Sequence, residues 1–439
     1  DTPEQPYALH LIQADHIPQD LLDSHLISSL PDHLSPERPL HVIVSTKAGT
    51  GLASMCWETI VQPLLGLLFS SIPPRREDGK GDGERYHVLT TRSAQSIRQF
   101  AQSHWARRQN TTSHPETIIL LSGDGGITDL LNGRDDADDD GTSSSPNGPL
   151  PTIAILPLGT GNALFHSLHK PLYDGVSGDA DGATAATTRP TVPSPLVLGL
   201  RTLFRGCSAP LPSFEVCFSP GSKLVSSEEG AGENTNRRDD ERGFSSQHRH
   251  DNSVSRLIGA VVASYGFHAQ LVWESDTPDY RRHGDKRFAM VAAELLRESH
   301  AYDARVHIYP TSLSSSAREI DMPTHQDTTT TDVAAPRPRF SYVLATLVSN
   351  LERTFTISPA ARPLHPALHL VYFGPVGGQR TMEIMKAAYD GGKHVALPDV
   401  GYEEVAALRV TLLEADARWR KVCVDGTIVE IPHGGDMTV

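Results

Sequence analysis

Two patterns of apolar and polar residues divide the chain near residue 206. Before this point, short apolar runs are each followed by a turn and then by apolar residues at helical spacing. After it, short alternating or apolar runs follow one another with few helical segments between them. The sequence therefore predicts an α/β fold followed by an all-β fold: a polar extension at 1–38, a doubly wound Rossmann-like domain at 39–205 and a β-sandwich domain at 206–439.

Four successive strand–turn–helix units make up the predicted α/β domain. The predicted strands are 41–45, 86–90, 117–121 and 152–156. The predicted helices are 52–69 with a break near Pro63, 93–105, a short helix that ends at Asn132-Gly133, and 162–168. Units of this kind form a parallel sheet, because each crossover returns the chain in the same direction. Their turns gather at the carboxyl ends of the strands, where ligands bind in such sheets.

The predicted second domain consists mainly of strands. The strand candidates are 214–218, 257–264, 304–309, 341–349, 354–358, 368–374, 408–413 and the hairpin 421–431. Two helices are predicted among them, at 287–297 and 379–389. Four polar tracts have too few apolar residues to pack and are predicted to be disordered surface insertions, at 134–150, 173–191, 219–253 and 312–338.

Charge and cysteine usage narrow the class of protein. A net charge of −14 argues against a general nucleic-acid binder, because no basic excess exists to neutralise phosphates. The cysteines have neither zinc-ligand spacing nor a disulfide framework, so a reducing cytoplasm is expected: Cys56, Cys207, Cys217 and Cys423. The longest apolar run, 60–69, is too short to span a bilayer, and the N-terminus lacks the pattern of a signal peptide.

The stretch 120–133 carries the main chemical signal. An apolar strand feeds a glycine turn with one acid, Asp124, and a helical pattern follows. Strand, glycine turn and helix together point backbone N–H groups and a helix N-terminus at a phosphate. A carboxylate at such a place repels the ligand unless it handles a proton or a metal-bound nucleotide. Asp124 is therefore predicted to act on a phosphoryl group.

A second glycine turn, 157–162, follows the next predicted strand. Each turn alone is more often a simple turn or a helix entry, but two of them on neighbouring units form a divided phosphate cradle. The GxxxxGK[ST] loop of P-loop enzymes and the GxGxxG pattern of dinucleotide-binding domains are both missing from the sequence. The pattern favours a phosphate-binding site of another kind.

The sequence SGDGG at 122–126 with PLGTGNAL at 157–164 resembles the catalytic domain shared by diacylglycerol, ceramide and sphingosine kinases. The segments 265–288, 368–394 and 422–431 resemble the sphingosine and ceramide kinase branch. This resemblance implies transfer of the γ-phosphoryl group of ATP, with Mg²⁺, to the hydroxyl of a lipid at a membrane surface. It also implies that ATP lies in a cleft between the two domains.

The resemblance assigns roles to individual residues. Asp124 corresponds to the general base that takes the proton of the lipid hydroxyl. The residues that correspond to nucleotide-binding positions are Ser45, Thr90, Ser122, Gly123, Gly125, Gly159, Thr160, Gly161, Asn162, Arg281, Arg287, Asp425 and Gly426. Cations are needed because no P-loop lysine is present, and the basic cluster around Arg281 and Arg287 supplies them. No residue is assigned as a metal ligand.

Several positions depart from the family pattern. Ser45 stands where the family has asparagine, Gly126 where it has threonine or a larger residue, and Asp129 where it has glutamate. Thr427 replaces the acid of the family's Asp-Gly-Glu motif, and 270–273 lack the acids that hold a sphingoid head group.

These departures leave alternatives to a sphingoid-base kinase. They are a diacylglycerol or ceramide kinase, a catalytically silent nucleotide- or lipid-binding relative, and a kinase with a soluble acceptor, as in NAD kinases. The sequence does not indicate the lipid acceptor or the oligomeric state.

Overall fold

The structure is a computed structural model that describes residues 7–10, 12, 14–27, 29–49, 51–70, 85–108, 115–135, 150–174, 193–225, 252–284, 286–312, 316–322 and 338–439. The chain divides into two compact units, Asp1–Pro210 and Leu211–Val439. Most of the four predicted insertions lie outside the described residues. Two short strands nevertheless fall inside predicted insertions, Lys223–Leu224 and Arg318–Glu319, so these tracts are not wholly irregular.

A parallel sheet forms the centre of the first unit. Its described strands are β1 (Leu40–Val44), β2 (His87–Thr90), β3 (Thr117–Ser122) and β4 (Thr152–Pro157). They pair in the order β2-β1-β3-β4, and every pair is parallel. The order places β1 and β3 at the centre, and both are buried along their whole length. The predicted Rossmann-like arrangement is confirmed.

Seven α-helices are described in this unit. Their bounds are α1 (Gln19–His25), α2 (Ala53–Cys56), α3 (Gln62–Phe69), α4 (Ser96–Arg108), α5 (Asp124–Asp135), α6 (Ala163–Asp174) and α7 (Pro195–Arg205). Alternate residues of β1 and β3, among them Val42 and Leu121, pack with Trp57, Leu65 and Leu203 in one apolar core. Burial of such side chains stabilises the unit by about 1.5–3 kcal/mol each.

Several helix boundaries differ from the predictions, and the structure explains two of these differences. No break occurs at Pro63; instead a π-helical segment, Trp57–Val61, lies directly before α3. Proline has no N–H and its ring crowds the carbonyl four residues earlier, and the wider turn accommodates both effects. Helix α5 does not stop at Asn132-Gly133 but continues to Asp135. Gly133 serves close packing, because a methyl group there would lie 2.6 Å from the carbonyl oxygen of Arg98 in α4.

The second unit is built on an antiparallel sheet. Its described strands are β5 (Phe214–Phe218), β6 (Lys223–Leu224), β7 (Arg256–Gly259), β8 (Val262–Gly266), β9 (Tyr302–Pro310), β10 (Arg318–Glu319), β11 (Arg339–Phe340), β12 (Tyr342–Thr346), β13 (Leu368–Phe373), β14 (Gly401–Leu412), β15 (Lys421–Val424), β16 (Thr427–Glu430) and β17 (Asp436–Thr438). In the part of the chain that is described, these 13 strands hydrogen-bond into one continuous sheet. The all-β fold class is confirmed.

Four helices are described in this unit: α8 (Phe267–Ser275), α9 (Pro278–Arg281), α10 (Lys286–Glu298) and α11 (Gly378–Tyr389). The last two were predicted, whereas α8 and α9 were not. The predicted strand at 354–358 is wrong, since only an isolated bridge between Asn350 and Thr356 forms there. Among the described residues, no helix combines the length and the apolar character needed to cross a bilayer.

Candidate active site in the glycine turns

Three glycine turns meet at the carboxyl edge of the parallel sheet. They follow β1, β3 and β4, and contain Gly49, Gly123 and Gly159. A methyl group on Gly123 would lie 2.8 Å from the Cα of Gly159, and one on Gly49 would lie 2.9 Å from the carbonyl carbon of Gly159. Gly49 also has φ +53°, which disfavours a side chain. The turns therefore pack main chain against main chain, which only glycine permits.

Backbone hydrogen bonds hold the glycine turns in place at the ends of the strands. The N–H of Ser45, directly after β1, donates to the carbonyl of Leu121 at 3.0 Å. The pairing of β1 with β3 therefore continues into the first turn. The N–H of Leu158 donates to the carbonyl of Ser122 at 3.1 Å and links β4 to β3 in the same way. The predicted residues Ser45, Ser122 and Gly123 are thus brought together.

The turn after β4 is closed by Asn162. Its side-chain Oδ1 accepts the N–H of Gly159 at 2.9 Å, and its Nδ2 donates to the carbonyl of Gly159 at 2.8 Å. Asn162 itself has φ +52°, a conformation that asparagine tolerates better than most residues. Thr160 is exposed at the tip of this turn and Gly161 is half-buried. Asn162 therefore shapes the turn from within, while Thr160 and Gly161 are accessible.

Asp124 joins the two glycine turns that follow β3 and β4. It is the first residue of α5, and its carboxylate accepts the N–H groups of Ala163 at 2.7 Å and Leu164 at 3.0 Å. These two N–H groups begin α6 and have no partner within that helix. One carboxylate thus lies at the N-termini of two helices, where their dipoles favour negative charge.

The electrostatic surroundings make Asp124 a stronger base than an exposed aspartate. Burial raises the pKa of Asp124, and the N–H groups of Leu164 and Ala163 and its own N–H act in the opposite direction. The desolvation effect is the larger one. A carboxylate with a raised pKa takes up a proton more readily, which suits general-base chemistry near neutral pH.

The space around α5 explains one departure from the family pattern. A side chain at Gly126 would lie 2.7 Å from the hydroxyl of Ser122, so a threonine does not fit beside this serine. Gly125 is different, because a methyl group there would meet nothing within 4 Å. In the first turn of α5, the space beside Gly125 is therefore open, whereas the space beside Gly126 is filled by Ser122.

Asp129, one turn further along α5, is also perturbed. Burial raises its pKa to about 7, opposed by the charge of Arg98 in α4. The shorter acid at this position is thus a second acid of α5 whose pKa is raised by burial.

Two hydroxyl groups form hydrogen bonds that connect the turns after β1 and β2. The sequence analysis did not identify them. The hydroxyl of Thr91 accepts the N–H of Thr46 at 3.0 Å, and the hydroxyl of Thr46 donates to the carbonyl of Thr91 at 3.0 Å. Thr90, the predicted nucleotide contact, is exposed at the end of β2 and pairs with Val44 in the sheet. Hydroxyl residues at the ends of two neighbouring strands were the sequence signal that could have predicted this connection.

In the second unit, Arg281 and Arg287 converge on one carboxylate. Arg281 donates from Nε and Nη2 to the two oxygens of Asp276, at 2.9 and 2.6 Å. The Nη1 of Arg287 lies 3.7 Å from the Oδ1 of Asp276, and its guanidinium lies over the ring of Phe288 at 4.8 Å. The two predicted arginines therefore already bind one anionic group, with the bidentate geometry that arginine also uses for phosphate.

Asp425 and Gly426 form the tight turn between β15 and β16. Both have positive φ, +46° and +89°, as a two-residue hairpin turn requires. The carboxylate of Asp425 is 5% exposed and accepts the N–H groups of Ala260 at 2.6 Å, Val261 at 3.0 Å and Val262 at 2.6 Å. This geometry gives Asp425 a structural role at the turn between β7 and β8. Its predicted contact with a nucleotide stays a prediction.

The segment that lacks the family's head-group acids lies on α8. Gln270 is buried and donates to Glu274 at 2.6 Å, and Glu274 also accepts from Arg418 at 2.9 Å. Val272 and Trp273 pack against Cys423 and Ile428. The described geometry therefore explains residues 270–273 as packing and hydrogen-bonding positions within the second unit.

Comparison with known proteins adds the following. Two solved structures from Bacillus anthracis str. Sterne are similar to this chain: a proposed diacylglycerol kinase, with 14% identity, 91% and 95% of the two chains covered and a TM-score of 0.47, and a diacylglycerol kinase, with 11% identity, 92% and 94% covered and a TM-score of 0.41. None of the curated proteins matches the chain.

A family model gives the assignment. Residues 39–191 match the model of the diacylglycerol kinase catalytic domain. This chain thus carries a diacylglycerol kinase catalytic domain and is a phosphotransferase of the lipid kinase class. The match ends at residue 191, before the segments from which the sphingosine and ceramide kinase branch was predicted, so that branch stays a prediction.

Proposed function

We propose that this protein transfers the γ-phosphoryl group of ATP to the hydroxyl of a sphingoid base or a related sphingolipid, at a membrane surface. Asp124 is the general base in this proposal. The acceptor O–H loses its proton to the Asp124 carboxylate as its oxygen bonds to the γ-phosphorus, and the bond from that phosphorus to the bridging oxygen of ADP breaks. The oxygen and charge balance is that of an ordinary phosphoryl transfer.

The position of the Asp124 carboxylate is the observation that carries the proposal. It is held by two backbone N–H groups at the N-terminus of α6, at 2.7 and 3.0 Å, beside the packed glycine turns. Phosphoryl transfer depends on positioning and charge neutralisation more than on covalent chemistry. A base that two N–H groups hold in place, and whose pKa is raised, meets the first requirement, while the neutralisation of charge falls to cationic groups.

The residues at this edge fit the phosphates of a nucleotide. A methyl group on Gly125 would enter open space, so an anion can approach the first turn of α5 closely. Thr160 and Gly161 present a second accessible main-chain segment. Mg²⁺, when bound, would neutralise phosphate charge, and carboxylates such as Asp124 are the type of ligand that it prefers.

Arg281 and Arg287 supply the cations in this proposal. Both bind the carboxylate of Asp276, and a phosphate oxygen can take the place of a carboxylate oxygen in the same geometry. Two arginines on one anion in a chain of net charge −14 favour a role in binding phosphate rather than general surface charge. Asp425 and Gly426 are included in the proposed nucleotide site because the space beside Gly426 is open. A methyl group there would meet nothing within 4 Å.

The test uses purified full-length protein, labelled ATP, Mg²⁺ and vesicles that contain a sphingoid base, ceramide or diacylglycerol. We expect label to appear in the sphingoid base, and Asp124→Asn to abolish the transfer while nucleotide binding persists. Transfer to ceramide alone would exclude the sphingoid base but keep a sphingolipid acceptor, and transfer to diacylglycerol alone would keep the lipid kinase and overturn the sphingolipid acceptor. Nucleotide binding without transfer to any lipid would identify a silent relative, and transfer to NAD would identify a soluble acceptor.

A further inference from the structure

A cluster of two histidines and one glutamate lies where the strands of the parallel sheet begin, at the end opposite to the glycine turns. His41 is near the start of β1, Glu116 directly precedes β3, and His104 comes from α4. The glycine turns follow the carboxyl ends of these strands, so the cluster and Asp124 lie at opposite edges of the sheet. The cluster is therefore separate from the site to which the kinase function is assigned.

The three side chains aim potential ligand atoms at one point. The Nε2 of His104 is hydrogen-bonded to the Oε2 of Glu116, and the Nε2 of His41 lies 3.7 Å from the same oxygen. One ligand atom from each residue lies within 4.8 Å of the other two. Within the described part of the chain, no other group of three histidine, cysteine or acidic residues has this arrangement.

Ring packing holds the two imidazoles in these positions. His41 stacks on His87, its partner in the β1–β2 register, with ring centroids 5.5 Å apart. Phe100 contacts the edge of His41 and stacks on His104 at 5.1 Å, one turn along α4. His41 and Glu116 are 8% and 5% exposed, while His104 is half-buried. The cluster is thus preorganised and open to solvent on the side of α4.

We propose that His41, His104 and Glu116 bind a zinc ion. Two imidazole nitrogens and one carboxylate oxygen are a donor set that zinc prefers, and three protein ligands leave the fourth position to water. In a tetrahedral site with bonds of about 2.1 Å the ligand atoms are roughly 3.4 Å apart. The separation of 3.7 Å between His41 and Glu116 is close to this value, and the remaining separations, all within 4.8 Å, would adjust to it on binding.

The ion would connect three elements that are distant in sequence. It would tie α4 to β1 and to the start of β3, which the hydrogen bond between His104 and Glu116 does only in part. Because binding to the folded state alone stabilises that state, zinc would raise the stability of the first unit. The site lies at the other edge from Asp124, so zinc is not expected to take part in the transfer.

The test is zinc binding by the full-length protein after treatment with a chelator. We expect one equivalent of Zn²⁺ per chain, a rise in the thermal unfolding midpoint, and, with Co²⁺ as a probe, the absorption of a tetrahedral site. Glu116→Gln and His104→Gln should each weaken binding at least tenfold, because each removes a ligand. His300→Gln is the matched control: it breaks a histidine–glutamate hydrogen bond of 2.8 Å to Glu414 that belongs to no such cluster.

The outcomes separate the metal site from a simple polar cluster. Stoichiometric binding that both variants lose and His300→Gln keeps supports the proposal. Failure of the wild-type chain to bind an equivalent of zinc, or equal binding by both variants, overturns it. If circular dichroism shows that His104→Gln does not fold, Glu116→Gln and His41→Gln decide by the same criterion. None of these readouts depends on kinase activity.

Discussion

Two Asp-Gly pairs in this molecule have the same sequence and different surroundings. Asp124-Gly125 follows a parallel strand and opens a helix, whereas Asp425-Gly426 turns a hairpin between antiparallel strands. Both carboxylates accept backbone N–H groups, two at Asp124 and three at Asp425. Asp425 is almost fully buried, whereas Asp124 is partly exposed beside an open glycine.

The difference shows what distinguishes a reactive carboxylate from a structural one. Three N–H groups occupy most of the hydrogen-bonding capacity of the Asp425 carboxylate, and its burial keeps most solvent away, so it serves the fold. Two N–H groups at a helix N-terminus orient Asp124 and leave further lone pairs available. The comparison therefore predicts that changes at Asp124 affect the reaction, and changes at Asp425 affect stability.

The largest expected effect is that of Asp124→Asn on the transfer rate. The amide keeps the shape and one oxygen acceptor but cannot take the proton, so we expect kcat to fall by about 10²–10⁴-fold. Binding of ATP should change little, whereas the free energy of unfolding should fall by about 1 kcal/mol, because one of the two N–H groups loses its acceptor. Single-turnover transfer, nucleotide titration and urea unfolding measure the three effects. Asp129→Asn, in the same helix, is the control, and an Asp124→Asn enzyme of near wild-type rate would remove the distinction between the two Asp-Gly pairs.

The glycine turns that surround Asp124 could be predicted because their sequence signals are local. A strand, a glycine turn and a helix follow one another within about 15 residues at Asp124 and again at Asn162, and parallel topology then brings the turns together. The structural role of Asp425 could not be predicted, since its partners Ala260, Val261 and Val262 are far away in sequence. The same holds for the cluster of His41, His104 and Glu116, which the strand register assembles.

Helix α8 was missed for a different reason. Its residues Phe267, Ala269 and Gln270 are all buried, so it has no polar stripe at helical spacing. It also follows β8 directly, so that 262–273 reads as one mostly apolar stretch with isolated polar residues. Gly266, with φ +86°, makes the turn between strand and helix. A single glycine inside an apolar run does not identify such a boundary from sequence.

The second prediction tests the packing that surrounds Asp124. Gly159→Ala would place a methyl group 2.9 Å from the Oδ1 of Asn162 and even closer to the Cα of Gly123. The two turns must then move apart, and a displacement of about 1 Å can lower the rate by about 10²-fold. Gly66→Ala in α3, outside the glycine turns, is the control, because its methyl group meets nothing within 4 Å and the fold should tolerate it. Steady-state transfer and thermal unfolding compare them; equal rates for Gly159→Ala and the wild type would show that the contact between the turns is dispensable.

The third prediction concerns Asp425. Asp425→Ala leaves three buried N–H groups without their acceptor and puts alanine at φ +46°, so we expect a loss of about 3 kcal/mol or more in the free energy of unfolding. Asp425→Asn keeps one oxygen and tolerates this φ, and should lose about 1–2 kcal/mol. Urea unfolding measures both values. A variant that is stable but unable to bind ATP would instead support the predicted nucleotide contact.

The smallest expected effect is a pH dependence that comes from α5. Burial raises the pKa of Asp129 to about 7 in the folded chain, against about 3.9 when unfolded. Between these values the folded state holds a proton that the unfolded state has lost, so stability falls as pH rises through this window and is level above it. Asp129→Asn removes this contribution but not that of Asp124, whose pKa is shifted in the same direction. Urea unfolding at about pH 5 and about pH 7.5 should show the wild type losing about 2–3 kcal/mol relative to Asp129→Asn. An unchanged difference between the two proteins would mean that Asp129 titrates like an exposed acid, and the base strength inferred for its neighbour Asp124 would then need an independent measurement from the acid limb of kcat.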